Sequence, residues 1–267
     1  MTGGTTPSGA RTEQEASAWV RDMFGRVAHR YDLANHLLSC NLDRYWRARA
    51  VARAGEVLDR PEARVLDICC GTGDLLLALE SRRRAPVYGS DFCHPMLVAA
   101  AHKISRRRSQ ARLFESDALA LPLADASLDL ISAAFGFRNL ANYRAGLREF
   151  RRVLRPGGMA AILEFSQPPN RVFGAAYKFY SRRILPLIGG ALSGARDAYT
   201  YLPESVRKFP TAEELAREMR DAGFEDVKFE LFTGGIVALH LARTQAVSTQ
   251  QSALSGTPGG GKLRADR

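Results

Sequence analysis

An apolar strand that runs directly into a glycine turn and then a helix leaves a chain few folds to choose from. The stretch Val65-Leu66-Asp67-Ile68-Cys69-Cys70-Gly71-Thr72-Gly73-Asp74-Leu75 has this form. In a doubly wound α/β sheet, ligands bind beyond the carboxyl ends of the strands, at such a turn. Gly71 and Gly73 carry no Cβ, so a ligand can come close to the backbone. Amide groups at the start of the following helix point into the same space.

The flanking segments agree with such a sheet. Glu15 to Tyr31 places Trp19, Met23 and Val27 at four-residue steps, and Arg44 to Leu58 repeats Ala, Val and Leu, so both read as amphipathic helices. Strands follow at Arg64–Cys69, Pro86–Ser90, Ala111–Ser116, Leu128–Ala134 and Met159–Phe165, alternating with helical stretches. Alternation of this kind implies a mostly parallel sheet covered on both faces. A helix over 141–154 carries Leu147, Phe150 and Leu154 on one face and stops at Pro156-Gly157-Gly158. Last come a helix, Thr211–Ala222, and two strands, Val227–Phe232 and Ile236–Arg243. Too few residues join these strands for a parallel crossover, so an antiparallel hairpin at the sheet edge is expected.

One missing glycine and two acidic positions qualify the glycine turn. A dinucleotide fingerprint requires a third glycine where Leu76 stands, which argues against an NAD-dependent oxidoreductase. S-adenosylmethionine carries no phosphate and needs no such glycine. Asp91 closes the next strand, 18 positions after Gly73, close to the offset at which a carboxylate meets ribose hydroxyls. Its alternative is a cap for the helix that begins near His94. Asp117, followed by Ala118, closes the third strand, where it can accept from an adenine amine or simply shape a turn.

The 267 residues, 46% hydrophobic and 25% charged, suffice for one large α/β domain. No apolar run approaches the ~18–20 residues that cross a bilayer, and the longest, Ile184 to Leu192, is broken by Pro186 and two glycines. The amino end lacks the pattern of a secretory signal, so a cytoplasmic protein is expected. Residues 1–14 and 245–267 read as disordered tails. A formal charge of +10 fits a polyanionic partner, nucleic acid or an anionic membrane surface. Part of it lies in Arg82-Arg83-Arg84 and Arg106-Arg107-Arg108, which close helices and complement their dipoles. Cys40, Cys69, Cys70 and Cys93 show neither disulfide nor zinc spacing, and no metal is expected.

Beyond these features, several spaced motifs stand out. They are Phe24 to Asn35 with its Tyr31-Asp32-x-x-Asn35 core, Leu38-Ser39 continuing to Arg44-x-Trp46-Arg47, and Phe135-Gly136-Phe137-Arg138-Asn139. Further on come Arg152 to Gly158, Glu164-Phe165-Ser166, Tyr201-Leu202-Pro203-Glu204-Ser205, and Thr233 to His240. On these residues the chain resembles the menaquinone and ubiquinone C-methyltransferases, the demethylmenaquinone methyltransferase (UbiE/MenG) family, from about Val20 to Ala242.

The resemblance implies a Rossmann-like class I S-adenosylmethionine-dependent methyltransferase with a seven-stranded, mostly parallel sheet. It implies a domain over 15–244, with a helical lid over 15–60 and a substrate-side cap over 170–210. It implies C-methylation of a prenylated quinol, demethylmenaquinol to menaquinol, with a ubiquinone-pathway benzoquinol as the alternative. By similarity the cofactor contacts are Thr72, Asp91, Asp117 and Ala118, joined by Gly71, Gly73 and Asp67 of the turn. Cys70 and Ala134 stand where relatives carry glycine and a cofactor-contacting serine. A quinol carbon becomes nucleophilic once a neighbouring hydroxyl ionises, and a fixed guanidinium favours that charge. Arg138 is the candidate, with Asn139 for the second ring oxygen and Tyr31 to orient the ring. Partners expected on this reading are the quinol and a peripheral membrane surface, at the inner face of the plasma membrane. The aromatic, apolar and basic segment Val172 to Leu192 would meet both the isoprenoid tail and that surface. A homodimer is compatible with it. A nucleic-acid methyltransferase, the rival from another class, would need a basic groove or an RNA-binding module, and no such module is found.

Overall fold

The computed structural model describes residues 3–5, 7, 9–28, 31–83, 85–184 and 196–246. The carboxyl-terminal tail beyond 246, the Leu185–Leu192 part of the cap and the side chain of Tyr31 lie outside the described residues.

Four helices precede the sheet: α1 (Glu13–Val27), α2 (Tyr31–Leu38), α3 (Leu42–Arg53) and α4 (Gly55–Leu58). Thr12 caps α1, its hydroxyl accepting from Glu15 N at 3.1 Å. The helix expected over Glu15–Tyr31 stops at Val27, and Tyr31 opens a second helix. The helix expected over Arg44–Leu58 breaks at Ala54, whose ψ of 2° leaves the helical range, and α4 starts at Gly55.

The strand and helix alternation then runs β1 (Val65–Ile68), α5 (Asp74–Arg82), β2 (Tyr88–Asp91), α6 (His94–Arg107), β3 (Arg112–Glu115), β4 (Leu128–Ala134), α7 (Tyr143–Val153) and β5 (Leu154–Phe165). After the cap helices α8 (Arg171–Phe179) and α9 (Arg196–Lys208) come α10 (Ala212–Asp221), β6 (Glu225–Phe232) and β7 (Val237–Arg243). The seven strands are ordered β3-β2-β1-β4-β5-β7-β6. β1 to β5 pair in parallel, and β7 runs antiparallel to both β5 and β6. The expected hairpin is present, with its second strand lodged against β5 and its first forming the rim.

Burial explains the pattern. All four residues of β1 are buried, as a strand covered on both faces requires. Leu147, Phe150 and Val153 of α7 pack with Ile131, Ile162 and Leu215 on one face of the sheet. On the other, Leu76 and Leu79 of α5 pack with Val65, Val87 and Leu130. Asn142 caps α7 through Ala145 N, and Thr211 with Glu214 forms a capping box on α10. The Pro156-Gly157-Gly158 stop is a bulge as well as a terminator. Leu128 pairs with Leu154 and Leu130 with Met159, so Asp129 faces Arg155 to Gly158.

Residues 3–5, expected to belong to a disordered tail, are instead bonded to the loop before α7. Thr5 N donates to Leu140 O at 2.8 Å, and Tyr143 N donates to Gly3 O at 2.8 Å. A Cβ on Gly4 would fall 1.9 Å from Ala141 O, so only glycine allows this approach.

On the rim, the β6–β7 register shifts between Glu225 and Lys228, and Asp226 takes φ +46°. Glu225, Asp226 and Lys228 are exposed there. Among the described residues, no helix is long and apolar enough to cross a membrane.

Candidate active site

The strand order reverses between β1 and β4, and ligands of open α/β sheets bind at such a switch point. At their carboxyl ends the backbone departs from the ordinary. Cys69 (φ +53°) and Phe135 (φ +59°) both adopt the left-handed conformation that non-glycine residues avoid. Gly136 passes so close to Cys69 that a Cβ on it would lie 2.4 Å from Cys69 Cβ. A cavity of about 450 Å³ opens above these ends. Gly71, Thr72, Asp67, Asp91, Asp117, Ala118, Arg138 and Asn139 all line it, as does Ala134. Gly73 does not; with φ +87° it makes the turn that starts α5.

The acidic residues differ in their state. Asp91 is buried and joins two turns, Oδ2 accepting from Gly71 N at 2.8 Å and Oδ1 from Cys93 N at 2.9 Å. Asp91 is not the side-chain cap of α6, whose N-cap is Cys93, without a side-chain cap bond. Asp91 braces the entry to α6 and still offers further lone pairs to the cavity. Burial raises its pKa to about 6, against these amide bonds. Asp67 lies wholly buried in β1, with Ser132 Oγ donating to Oδ1 at 2.9 Å and no partner for Oδ2. Desolvation lifts its pKa to about 7, although Ser132 and Arg47 oppose the shift. Asp117 is exposed at the rim and uses Oδ1 to accept from Leu119 N at 2.9 Å.

The Arg138–Asn139 loop forms the opposite wall. Arg138 is buried and paired with Glu164 of β5, Nη1 to Oε1 at 2.8 Å, while its backbone N donates to Glu164 Oε2 at 3.1 Å. Nη1 also donates to Phe135 O. The guanidinium lies over the Phe165 ring, 5.2 Å from its centre. The lone guanidinium of the sequence reading is thus half of a buried ion pair. Its net charge is compensated, and what it brings is fixed N–H donors. Asn139 Oδ1 accepts from Tyr201 Oη at 3.0 Å.

Sequence reasoning missed an ionic web that ties α2 and α3 to the glycine turn. Lys103 of α6 donates to Thr72 Oγ1 at 3.0 Å and pairs with Asp32 at 2.5 Å and Asp74 at 2.7 Å. Thr72 Oγ1 in turn donates to Asp32 Oδ1 at 2.5 Å. Arg47 pairs with Asp43 and approaches Asp74 at 3.7 Å, and His36 Nδ1 lies 2.7 Å from Asp43. Arg47 and Lys103, with hydrogen bonds, hold Asp43 and Asp74 below the usual carboxylate range despite their burial. The signal was there, since Asp32 and Arg47 belong to the two amino-terminal motifs. Spacing alone does not reveal that Asp32 reaches Thr72 and Lys103, or that Arg47 reaches Asp74.

Cys69 and Cys70 are raised well above the ordinary thiol range by burial and by neighbouring carboxylates, which disfavours thiolate chemistry. His240 donates its Nε2–H to Ala212 O at 2.8 Å, and burial lowers its pKa to about 4.

Sheet order and cavity together define a Rossmann-like methyltransferase architecture, and solved structures share it. A SAM-dependent methyltransferase from Thermotoga maritima superposes with TM-score 0.59 at 20% identity, over 84% of this chain and 99% of that one. The [4+2]-cyclase SpnF superposes with TM-score 0.63 at 17% identity, over 91% and 99%, so the fold by itself does not fix the reaction. Sequence narrows it. Residues 11–244 match the ubiE/COQ5 methyltransferase family, and the chain belongs to that family. It is 48% identical to a demethylmenaquinone methyltransferase of Thermus thermophilus over 82% of this chain and 98% of the relative. It is 45% identical to one of Deinococcus radiodurans, over 85% and 93%. It is also 42% identical to a ubiquinone/menaquinone biosynthesis C-methyltransferase UbiE of Syntrophotalea carbinolica, over 83% and 92%.

Proposed function

We propose that this chain methylates a ring carbon of a prenylated quinol, converting demethylmenaquinol to menaquinol with S-adenosylmethionine as methyl donor. The observation that carries this reading is that the Phe135–Asn139 loop and the glycine turn share one cavity wall to wall. The names of the relatives supply the substrate class.

The residues of the turn suit an adenosyl group. Asp67 Oδ2 is a buried oxygen without a partner, and a ligand hydroxyl or cationic group would satisfy it. Asp91 would accept from ribose hydroxyls and Asp117 from an exocyclic amine, beside the small wall of Ala118. When bound, S-adenosylmethionine supplies an electrophilic methyl group. The chain must then align the ring carbon and stabilise its ionised neighbour. Alignment of two bound reactants can contribute roughly 7–11 kcal/mol. Phenolic hydroxyls titrate near ~10, and each unit by which the wall lowers that value is worth about 1.4 kcal/mol. Arg138, held by Glu164, and Asn139 would donate to the two ring oxygens.

The isoprenoid tail enters from an anionic bilayer surface. Leu33 and Leu37 of α2 and Val172 and Phe179 of α8 are exposed at 66%, 51%, 82% and 64%, far above what buried faces allow. Tyr180 Oη donates to Leu38 O at 3.4 Å and brings the two groups together. Exposed Arg171, Lys178 and Arg183 flank them, matching acidic headgroups.

The test is to incubate the protein with methyl-labelled S-adenosylmethionine and, separately, demethylmenaquinol, a benzoquinol analogue or bulk RNA. Label is expected in the naphthoquinol. Label in RNA and not in a quinol overturns the proposal. Leu37→Asp with Phe179→Asp should weaken sedimentation with phosphatidylglycerol vesicles, and unchanged sedimentation refutes the membrane contact.

A further inference from the structure

Helix α9 carries the Tyr201-Leu202-Pro203-Glu204-Ser205 motif, to which the reaction above gives no task. Tyr201 and Ser205 stand one helical turn apart, so they share a face. From that face Tyr201 Oη donates to Asn139 Oδ1 at 3.0 Å, and Ser205 Oγ accepts from Arg138 Nε at 3.4 Å. Each half of the Arg138–Asn139 pair is therefore held by a different residue of the same helix.

Counting protons fixes the direction of these bonds. Ser205 gives its hydroxyl proton to Leu202 O at 2.9 Å, so toward Arg138 it is purely an acceptor. Tyr201 has one proton and gives it to Asn139. The Thr5 hydroxyl, 2.6 Å from the phenolic oxygen, must then be the donor to Tyr201. Thr5 is itself anchored by its amide to Leu140 O, one residue beyond Asn139. Thr5, Tyr201 and Asn139 are all buried, which keeps water from competing for these bonds.

The relay runs from Thr5 through Tyr201 to Asn139 Oδ1. With that oxygen turned toward Tyr201, the carboxamide presents its Nδ2 donor to the cavity. A donor favours a ring oxygen that has lost its proton. A carboxamide turned the other way would present an acceptor and favour the protonated hydroxyl, the form in which the ring carbon is a poor nucleophile.

We infer that Tyr201 and Ser205 are positioning residues for methyl transfer, with Thr5 completing the relay that fixes Asn139 as a donor. The inference rests on the proposal that Arg138 and Asn139 hold the quinol oxygens.

The experiment is a double-mutant cycle read by kcat and its pH profile with demethylmenaquinol. Tyr201→Phe keeps the ring that packs on Trp19, centroids 5.0 Å apart, and removes only the hydroxyl. Losing one such bond corresponds to about tenfold in kcat. The KM for S-adenosylmethionine should stay constant, and the rise of kcat with pH should move to higher pH. Thr5→Val, outside the cavity lining, should move the profile in the same direction by less. In an Asn139→Ala background, Tyr201→Phe should cost less than twofold. Equal loss in both backgrounds, or a lower kcat on an unmoved pH profile, overturns the relay. If Asn139→Ala alone turns over at the wild-type rate, the quinol-oxygen reading fails and takes this one with it. If Asn139→Ala is impaired while Tyr201→Phe and Thr5→Val are not, only the relay fails.

Discussion

Replacing Glu164 by leucine removes a buried carboxylate, with its charge and its hydrogen-bond acceptors, and leaves an apolar side chain in its place. Glu164 is 1% exposed and Arg138 4%, so both are largely withdrawn from bulk water. The carboxylate accepts from Arg138 Nη1 at 2.8 Å, Arg138 N at 3.1 Å and Phe165 N at 2.9 Å. Breaking a buried pair from one side typically costs about 3–5 kcal/mol, because the remaining charge stays in a poor solvent. For a domain of this size each kcal/mol lowers Tm by roughly 2–4 °C, so a fall of about 6–20 °C is expected. Scanning calorimetry of Glu164→Leu and of the pair Arg138→Met with Glu164→Leu provides the assay. A matched apolar pair is often neutral or stabilising, but the amides of Arg138 and Phe165 still lack this acceptor, so the double variant should regain part of the lost Tm while lacking activity. A double variant no more stable than Glu164→Leu would refute the claim that the residual buried charge causes the loss.

Other expectations follow from the same geometry. Asp67 and Asp91 have raised pKa values, about 7 and about 6, so the folded chain binds more protons than the unfolded one between roughly pH 4 and 7. Their contribution to stability is therefore full below the unfolded pKa and declines as pH rises through 6–7. Urea melts of wild type and Asp67→Asn at pH 5 and 7.5 should show a smaller pH dependence in the variant, and an identical one would refute this. Affinity for S-adenosylmethionine should fall as pH drops through about 6 and Asp91 protonates; calorimetric titration at pH 5 and 7.5 checks it, and Asp91→Asn should flatten the difference. Gly136→Ala should destabilise by roughly 1–3 kcal/mol through its clash with Cys69, with partial rescue by Cys69→Gly, which removes the obstructing Cβ and relaxes φ +53°. Lys103→Met should loosen α2 from α5, seen as faster amide exchange in Tyr31–Leu38 and a several-fold weaker hold on S-adenosylmethionine.

Much of the fold was legible because it depends on periodicity and on short connections. The five parallel strands, the closing hairpin and the glycine turn all follow from residues near one another in sequence. What escaped depends on partners distant in the chain. Nothing around Arg138 announces Glu164, which reaches it through the pairing of β4 with β5. Likewise Lys103 sits mid-helix like any solvated lysine, until α6 brings it over Thr72 and Asp74. Composition misjudged residues 3–5, since a Gly-Gly-Thr stretch looks structureless unless a loop is waiting to receive it. Asp91 and Asp117 were singled out by type and offset, but the partnerless oxygen of Asp67 required the three-dimensional arrangement.

The irregular outer rim of β6 has a consequence for how copies of this chain can meet. A register shift, a left-handed Asp226 and an Asp226–Lys228 pair at 2.6 Å spoil the straight ladder that another strand would need. An edge interrupted in this way discourages sheets from growing between molecules. Two copies would find each other more readily through helical faces than by sharing a sheet, and crowded solutions should resist fibre formation from that side.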